Sequence, residues 1–133
     1  MSEYRPDEGS FNVGDARIAI VVARWNGNIT ENLLNGAQRA LTSHGVAESD
    51  IDLFRVPGAF ELPLACQKMA RTGTYDAIIA LGCVIRGGTP HFDYVCSETT
   101  RGIGEDRSGD RSENKGEEAA LTALEMISLF RQL

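Results

Sequence analysis

Three short polar clusters hold the residue types able to do chemistry in this chain: Trp25-Asn26-Gly27-Asn28, Pro57-Gly58-Ala59-Phe60-Glu61 and Arg86-Gly87-Gly88-Thr89-Pro90-His91. A glycine pair ahead of a helix start offers free backbone N–H groups to a phosphate or carboxylate. Glycine also lets a ligand approach the backbone closely. The plain alternative is a tight turn, and Arg86 and His91 beside the pair favour the anion site. The His91 imidazole, with an ordinary pKa of ~6.5, can move protons near neutrality, or it can simply sit at a helix surface. Glu61 could accept hydrogen bonds from ligand hydroxyls or serve the start of its own helix. Trp25 and Phe60 could stack on a planar ring or pack in the core. Arg107, Arg111 and Lys115 lie in a polar stretch that forms either a solvated face or, through an arginine fork, a phosphate clamp.

Each cluster follows an apolar run, at 17–23, Ile51–Val56 and 77–85. The first run is nearly continuous Ile, Val and Ala, the pattern of a strand buried on both faces. Thr30 can cap a helix through about His44, with Leu33, Leu34, Ala37, Ala40 and Leu41 on one face and Gly45 just past its end. A second helix runs from the Pro57-Gly58 break to about Arg71, before Gly73. Pro90 suits the first turn of a third, carrying Phe92, Val95, Cys96 and Thr99, and a final helix covers 117–131. Strands alternating with helices imply parallel pairing through helical crossovers. The expected architecture is α/β, a three-layer α/β/α sandwich on a flavodoxin-like parallel sheet. Ligands of such sheets bind beyond the carboxyl ends of the strands, so the three clusters should meet in one crevice. One feature disagrees: 104–116 is wholly polar and holds no strand, which leaves the third strand as an open apolar edge. Natural proteins usually avoid such an edge.

With 133 residues, 42% of them hydrophobic, the chain suits one domain at 15–133 behind a polar N-terminal arm at 1–14. A net charge of −6 argues against nucleic acid. No apolar run reaches the ~20 residues that span a bilayer, and the N-terminus lacks the pattern of a signal peptide. The expectation is a cytoplasmic protein with no membrane association. Cys66, Cys83 and Cys96 then read as buried reduced thiols, and with only His44 and His91 available no metal site is expected.

Three longer motifs carry a resemblance. They are Val56-Pro57-Gly58-Ala59-Phe60-Glu61-Leu62-Pro63, the stretch from Gly82 to Cys96, and Asn114-Lys115-Gly116-Glu117-Glu118-Ala119-Ala120. Together they resemble the lumazine synthase (6,7-dimethyl-8-ribityllumazine synthase) family over 15–133. The resemblance implies the penultimate step of riboflavin biosynthesis, in which 5-amino-6-(ribitylamino)uracil condenses with 3,4-dihydroxy-2-butanone 4-phosphate and releases phosphate and water. It implies no cofactor. Trp25 resembles the aromatic that stacks on the pyrimidine, with Asn26 beside it. Ala59, Phe60 and Glu61 match the segment holding the ring and ribityl chain, and Cys83, Val84 and Ile85 the strand end lining the ring pocket. Gly88 and Thr89 match the phosphate turn, His91 the proton-transfer residue, Arg107 the phosphate-binding arginine and Lys115 the lysine of the Asn-Lys-Gly motif.

The same resemblance implies a homopentamer with active sites between subunits, and in some relatives a hollow icosahedral shell of sixty chains. Shell formers often carry Gly-Thr-Lys-Ala-Gly-Asn where this chain has Gly109-Asp110-Arg111-Ser112-Glu113-Asn114. Relatives also carry a fourth crossover and a Val-Pro-Val-X-Phe-Gly-Val-Leu-Thr strand ahead of the segment matched by Asp106-Arg107-Ser108-Gly109. More than a dozen residues are missing here. A segment dropped from an otherwise complete chain predicts a Cα–Cα step far above 3.8 Å between Arg101 and Arg107. A true deletion predicts an unbroken chain there. Two other functions stay open: a shell or scaffold protein with weakened catalysis, and a flavin-binding module.

Overall fold

The computed structural model describes residues 13–85, 88 and 114–133. Strand β1 (Ile18–Ala23) leads to helix α1 (Gly27–Ser43), then β2 (Ile51–Val56), helix α2 (Leu62–Arg71), β3 (Ala77–Leu81) and the C-terminal helix α3 (Lys115–Gln132). The strands form one parallel sheet in the order β2-β1-β3, with Ile18 level with both Ile51 and Ala77. The α/β class and the flavodoxin-like parallel sheet expected from the sequence are what the chain adopts over these residues. The third helix expected around 90–99 and the step between Arg101 and Arg107 lie outside the described residues.

All six residues of β1 are buried, as a continuous apolar run with helices on both faces requires. Ile18, Ile20 and Val22 face α1 and α3, where Leu33, Ala37, Leu41, Ala120 and Leu124 complete the larger core. Val21 faces α2 and packs with Ala59 and Leu62. The sheet is therefore the middle layer, with α2 on one side and α1 with α3 on the other.

Two expectations need correction. Thr30 does not cap α1. The helix begins at Gly27 behind Asn26, and Thr30 is fully buried in its first turns. Asn26 adopts the left-handed conformation, φ 61° and ψ 46°, which Asn tolerates better than most residues, and its carbonyl accepts from the Ile29 and Thr30 N–H groups. Also, β3 stops at Leu81, and 82–85 leave the ladder. Gly82 lies close to the second cluster there: a β-carbon on it would stand 2.7 Å from Leu62 Cδ1 and 3.3 Å from Ala59 Cβ. The chain there packs against the second cluster where it would otherwise extend the strand. Gly45, at φ 93°, and Gly73, at φ 70°, follow α1 and α2 as expected.

Helices α1 and α3 cross closely because two glycines let them. A β-carbon on Gly116 would overlap the Leu33 carbonyl, and one on Gly36 would overlap the Asn114 side chain. Asn114 is 3% exposed and bonded through both ends of its amide: Oδ1 accepts from Glu117 N–H at 3.0 Å and Nδ2 donates to the Asn32 carbonyl at 2.9 Å. It thus caps α3 and ties it to α1 in one step. At the far end, Arg131 donates to the carbonyls of Val13 and Gly14. At the amino ends of the strands, Asp52 accepts from the Tyr75 hydroxyl at 2.8 Å and from Arg17 at 3.0 Å, while Asp76 accepts from Arg17 N–H at 2.8 Å.

Gly116→Ala should destabilise the chain by about 1–3 kcal/mol in chemical denaturation, because the new methyl meets backbone that cannot yield without separating the helices. The Tyr75 hydroxyl and then Arg17 hold the Asp52 carboxyl below its ordinary pKa, and the Asp52 carboxylate holds the Tyr75 phenol above its own. A depressed acid stabilises the fold above its unfolded pKa and stops doing so as pH falls through the folded value. A raised phenol stabilises below its unfolded pKa and stops doing so as pH rises through the folded value. The stability lost in Tyr75→Phe should therefore be constant near neutrality and shrink at both acid and alkaline extremes. Thermal unfolding across pH checks this.

Candidate functional site

The three carboxyl ends converge through backbone bonds first. Arg24 N–H donates to the Val56 carbonyl at 2.8 Å and Trp25 N–H to the Pro57 carbonyl at 3.0 Å, so the first cluster leaves β1 still joined to the second. The left-handed turn at Asn26 then directs its side chain toward β3, where Nδ2 donates to the Cys83 carbonyl at 3.3 Å. Gly82 packs on Leu62 and Ala59. The first and second clusters thus meet the chain that leaves β3 at 82–83, while of the third cluster only Gly88 lies among the described residues.

The Trp25 indole lies across Gly58. A β-carbon on Gly58 would sit 2.5 Å from Cε3 and 3.4 Å from Glu61 Oε2, so ring, glycine and carboxylate are immediate neighbours. Glu61 accepts from Gly58 N–H at 2.9 Å and returns its own N–H to the Gly58 carbonyl at 3.2 Å. This reciprocal pair is the helix-start role weighed for Glu61, and it fixes the carboxylate beside the indole. For the aromatics, exposure decides between stacking surface and core. Trp25 is 60% exposed, Phe60 55% and Ile85 57%, so none of the three is core. Ala59, by contrast, is buried and packs with Val21 and Leu62 beneath them, with Val84 against the same cluster.

Cys83 and Cys66 are half-buried cysteines outside any disulfide, and burial raises the Cys66 pKa. Cys96 lies outside the described residues, as do Thr89, His91 and Arg107. Gly88 is an exposed bend, and among the described residues no atom lies within 4 Å of where its β-carbon would stand. Lys115 stands apart from the indole and Glu61. It opens α3 in the opposite layer, pairs with Glu118 at 2.8 Å and lines a groove beside β3. Among the described residues no group of three His, Cys, Asp or Glu is placed to hold a metal ion. No helix among them is long and apolar enough to cross a membrane.

The family model for 6,7-dimethyl-8-ribityllumazine synthase matches residues 15–105. The chain belongs to the 6,7-dimethyl-8-ribityllumazine synthase family. The match takes in all three clusters and ends at the start of the polar stretch at 104–116. The family is one of transferases in riboflavin biosynthesis. Gly58 forms the surface under the indole, a role for which its place in Pro57-Gly58-Ala59 is the only local signal. The bond from Asn26 to the Cys83 carbonyl is encoded by no local pattern.

Trp25 is the chain's one tryptophan, so its fluorescence reports on this site alone. Gly58→Ala should displace the indole and shift its emission while leaving far-ultraviolet circular dichroism unchanged, because the clash falls on a mobile ring edge and not on backbone.

Proposed function

We propose that this chain condenses 5-amino-6-(ribitylamino)uracil with 3,4-dihydroxy-2-butanone 4-phosphate to give 6,7-dimethyl-8-ribityllumazine, phosphate and water. The single observation that supports this most is the juxtaposition of an exposed indole with a carboxylate fixed 3.4 Å from the same glycine position. An aromatic face with an adjacent acceptor suits a flat pyrimidine bearing a polyol chain. In this reading Trp25 stacks on the pyrimidine and Phe60 and Ile85 border it. Glu61 receives ribityl hydroxyls on the lone pairs that Gly58 N–H leaves over, and Asn26 holds the Cys83–Val84–Ile85 turn in place as the rim of the ring pocket. Gly88 offers its backbone N–H to the phosphate, with Thr89 and Arg107 as further phosphate donors and Lys115 as a further substrate contact.

The chemistry needs little beyond position and proton transfer. The amine of the uracil attacks the ketone, water leaves to give an imine, phosphate is eliminated, the resulting enol becomes a carbonyl, and the ribitylamino nitrogen closes the ring on it with loss of a second water. Each stage moves a proton, the role assigned to His91. Holding two reactive partners in register can supply up to ~7–11 kcal/mol of the barrier in favourable cases. We further propose a homopentameric assembly in the cytoplasm, with an icosahedral shell as its larger form.

Mixing the two substrates with the protein and following lumazine absorbance tests the activity, and turnover above the uncatalysed rate is expected. Absence of turnover with an assembled particle would leave the shell or scaffold reading. Absence of turnover with flavin quenching of Trp25 fluorescence would leave the flavin-binding module. His91→Ala should slow the condensation by about 10²-fold or more. Trp25→Ala should act on the KM for the pyrimidine more than on kcat, since it removes a stacking surface and no reacting group.

A further inference from the structure

Asn26 is bonded in a way that its own helix does not account for. It stands at the N-cap of α1, where asparagine is among the best residues because its side-chain oxygen can accept from the second or third helical N–H. Its side chain makes no such bond. The backbone explains why: a capping residue takes extended angles, and Asn26 is left-handed at φ 61° and ψ 46°. Among the described residues only Asp15 and Asn26 hold a positive φ without being glycine, and Asp15 lies ahead of β1 in no helix or strand. The amide of Asn26 is spent instead on the exit of β3, where Nδ2 donates to the Cys83 carbonyl at 3.3 Å. A left-handed side-chain residue that forgoes its cap marks a position kept for something other than the helix.

What the bond reaches decides what that is. Strand β3 ends at Leu81, so Cys83, Val84 and Ile85 lie past the ladder. Val84 packs beside Ala59 and Leu62, and Ile85 is 57% exposed. On the other side of Asn26 is Trp25, whose N–H is fixed on the Pro57 carbonyl at 3.0 Å. One residue thus joins the bearer of the indole to the turn that faces the same crevice. We propose that Asn26 is a positioning residue for the pyrimidine: it forgoes its helix cap to hold the Cys83–Ile85 turn at a set distance from the Trp25 ring. It acts through the turn and not by contact with the substrate. This rests on the function proposed above for the site. It adds that the left-handed backbone at 26 serves pyrimidine capture and contributes nothing to the stability of α1.

Asn26→Gly separates the two roles, since glycine takes left-handed angles freely and has no side chain to donate. The thermal midpoint should stay at the parent's value, because relief of the backbone offsets the lost bond. The KM for the pyrimidine should rise by up to about tenfold, the loss of one hydrogen bond, while the KM for the butanone phosphate stays unchanged. Asn26→Asp also tolerates the left-handed turn but sets a carboxylate against the Cys83 carbonyl, and should raise the pyrimidine KM further. Hydrogen exchange read by mass spectrometry follows the turn with no substrate present. In Asn26→Gly the peptide covering 82–85 should exchange faster, while 18–23 and 51–56 keep the parent's rates. Circular dichroism checks folding, and Asn26→Asp decides by the same readouts should Asn26→Gly fail to fold. A lowered thermal midpoint with both KM values unchanged would assign Asn26 to the stability of α1 and overturn the proposal. Unchanged exchange at 82–85 would overturn it as well. A parent without turnover would sink the function proposed for the site, and exchange at 82–85 would still decide whether Asn26 holds the turn.

Discussion

Complete burial of β1 is the constraint on which the rest of the molecule depends. Six consecutive apolar side chains can leave water only if both faces of the strand are covered and both edges are hydrogen-bonded. That requirement places β2 and β3 on either side in matching register. It also sends α2 to one face and α1 with α3 to the other. Matched parallel register then has a consequence for function: the three chains leave the sheet at one level, at the same end. The meeting of Trp25, Glu61 and the Cys83 turn follows from core burial.

The local chemistry of the exits sharpens that placement. Asn26 is at once a left-handed turn, the start of α1 and a donor to the Cys83 carbonyl. Gly58 accepts the indole across its face and gives its N–H to Glu61. Small or polar residues here are set by contact as much as by turn geometry, because any β-carbon at 58 or 82 would push apart groups that must touch. The exposed aromatic surface this leaves is costly in water and makes sense beside a fixed carboxylate as a place for a flat, hydroxylated ligand.

Helix α3 is held by different means. Its contact with α1 is close enough that glycine is required at 116 and favoured at 36, and a single buried asparagine satisfies both its first turn and the carbonyl of Asn32. That docking buries Ala120, Leu124 and Ile127 against β1 and β3. The neighbouring stripe from Ala119 to Phe130 stays beside the outer edge of β3. One helix therefore both seals the core and carries an apolar stripe beside that edge.

Much of this was legible in the residues themselves. The bounds of β2, the end of α2 before Gly73, the buried character of β1 and the parallel order follow from apolar period and turn residues, because those signals are local or depend only on which side chains must leave water. The candidate residues Trp25, Asn26, Ala59, Phe60 and Glu61 stood out for the same reason, as polar and aromatic groups just past apolar runs. Thr30 and the end of β3 were misjudged because a left-handed Asn26 and the packing of Gly82 on Leu62 are decided by neighbours far along the chain. Only the tertiary structure could show the indole lying on Gly58, the division of labour at Glu61 and the groove beside β3, since each arises from surfaces brought together by the fold.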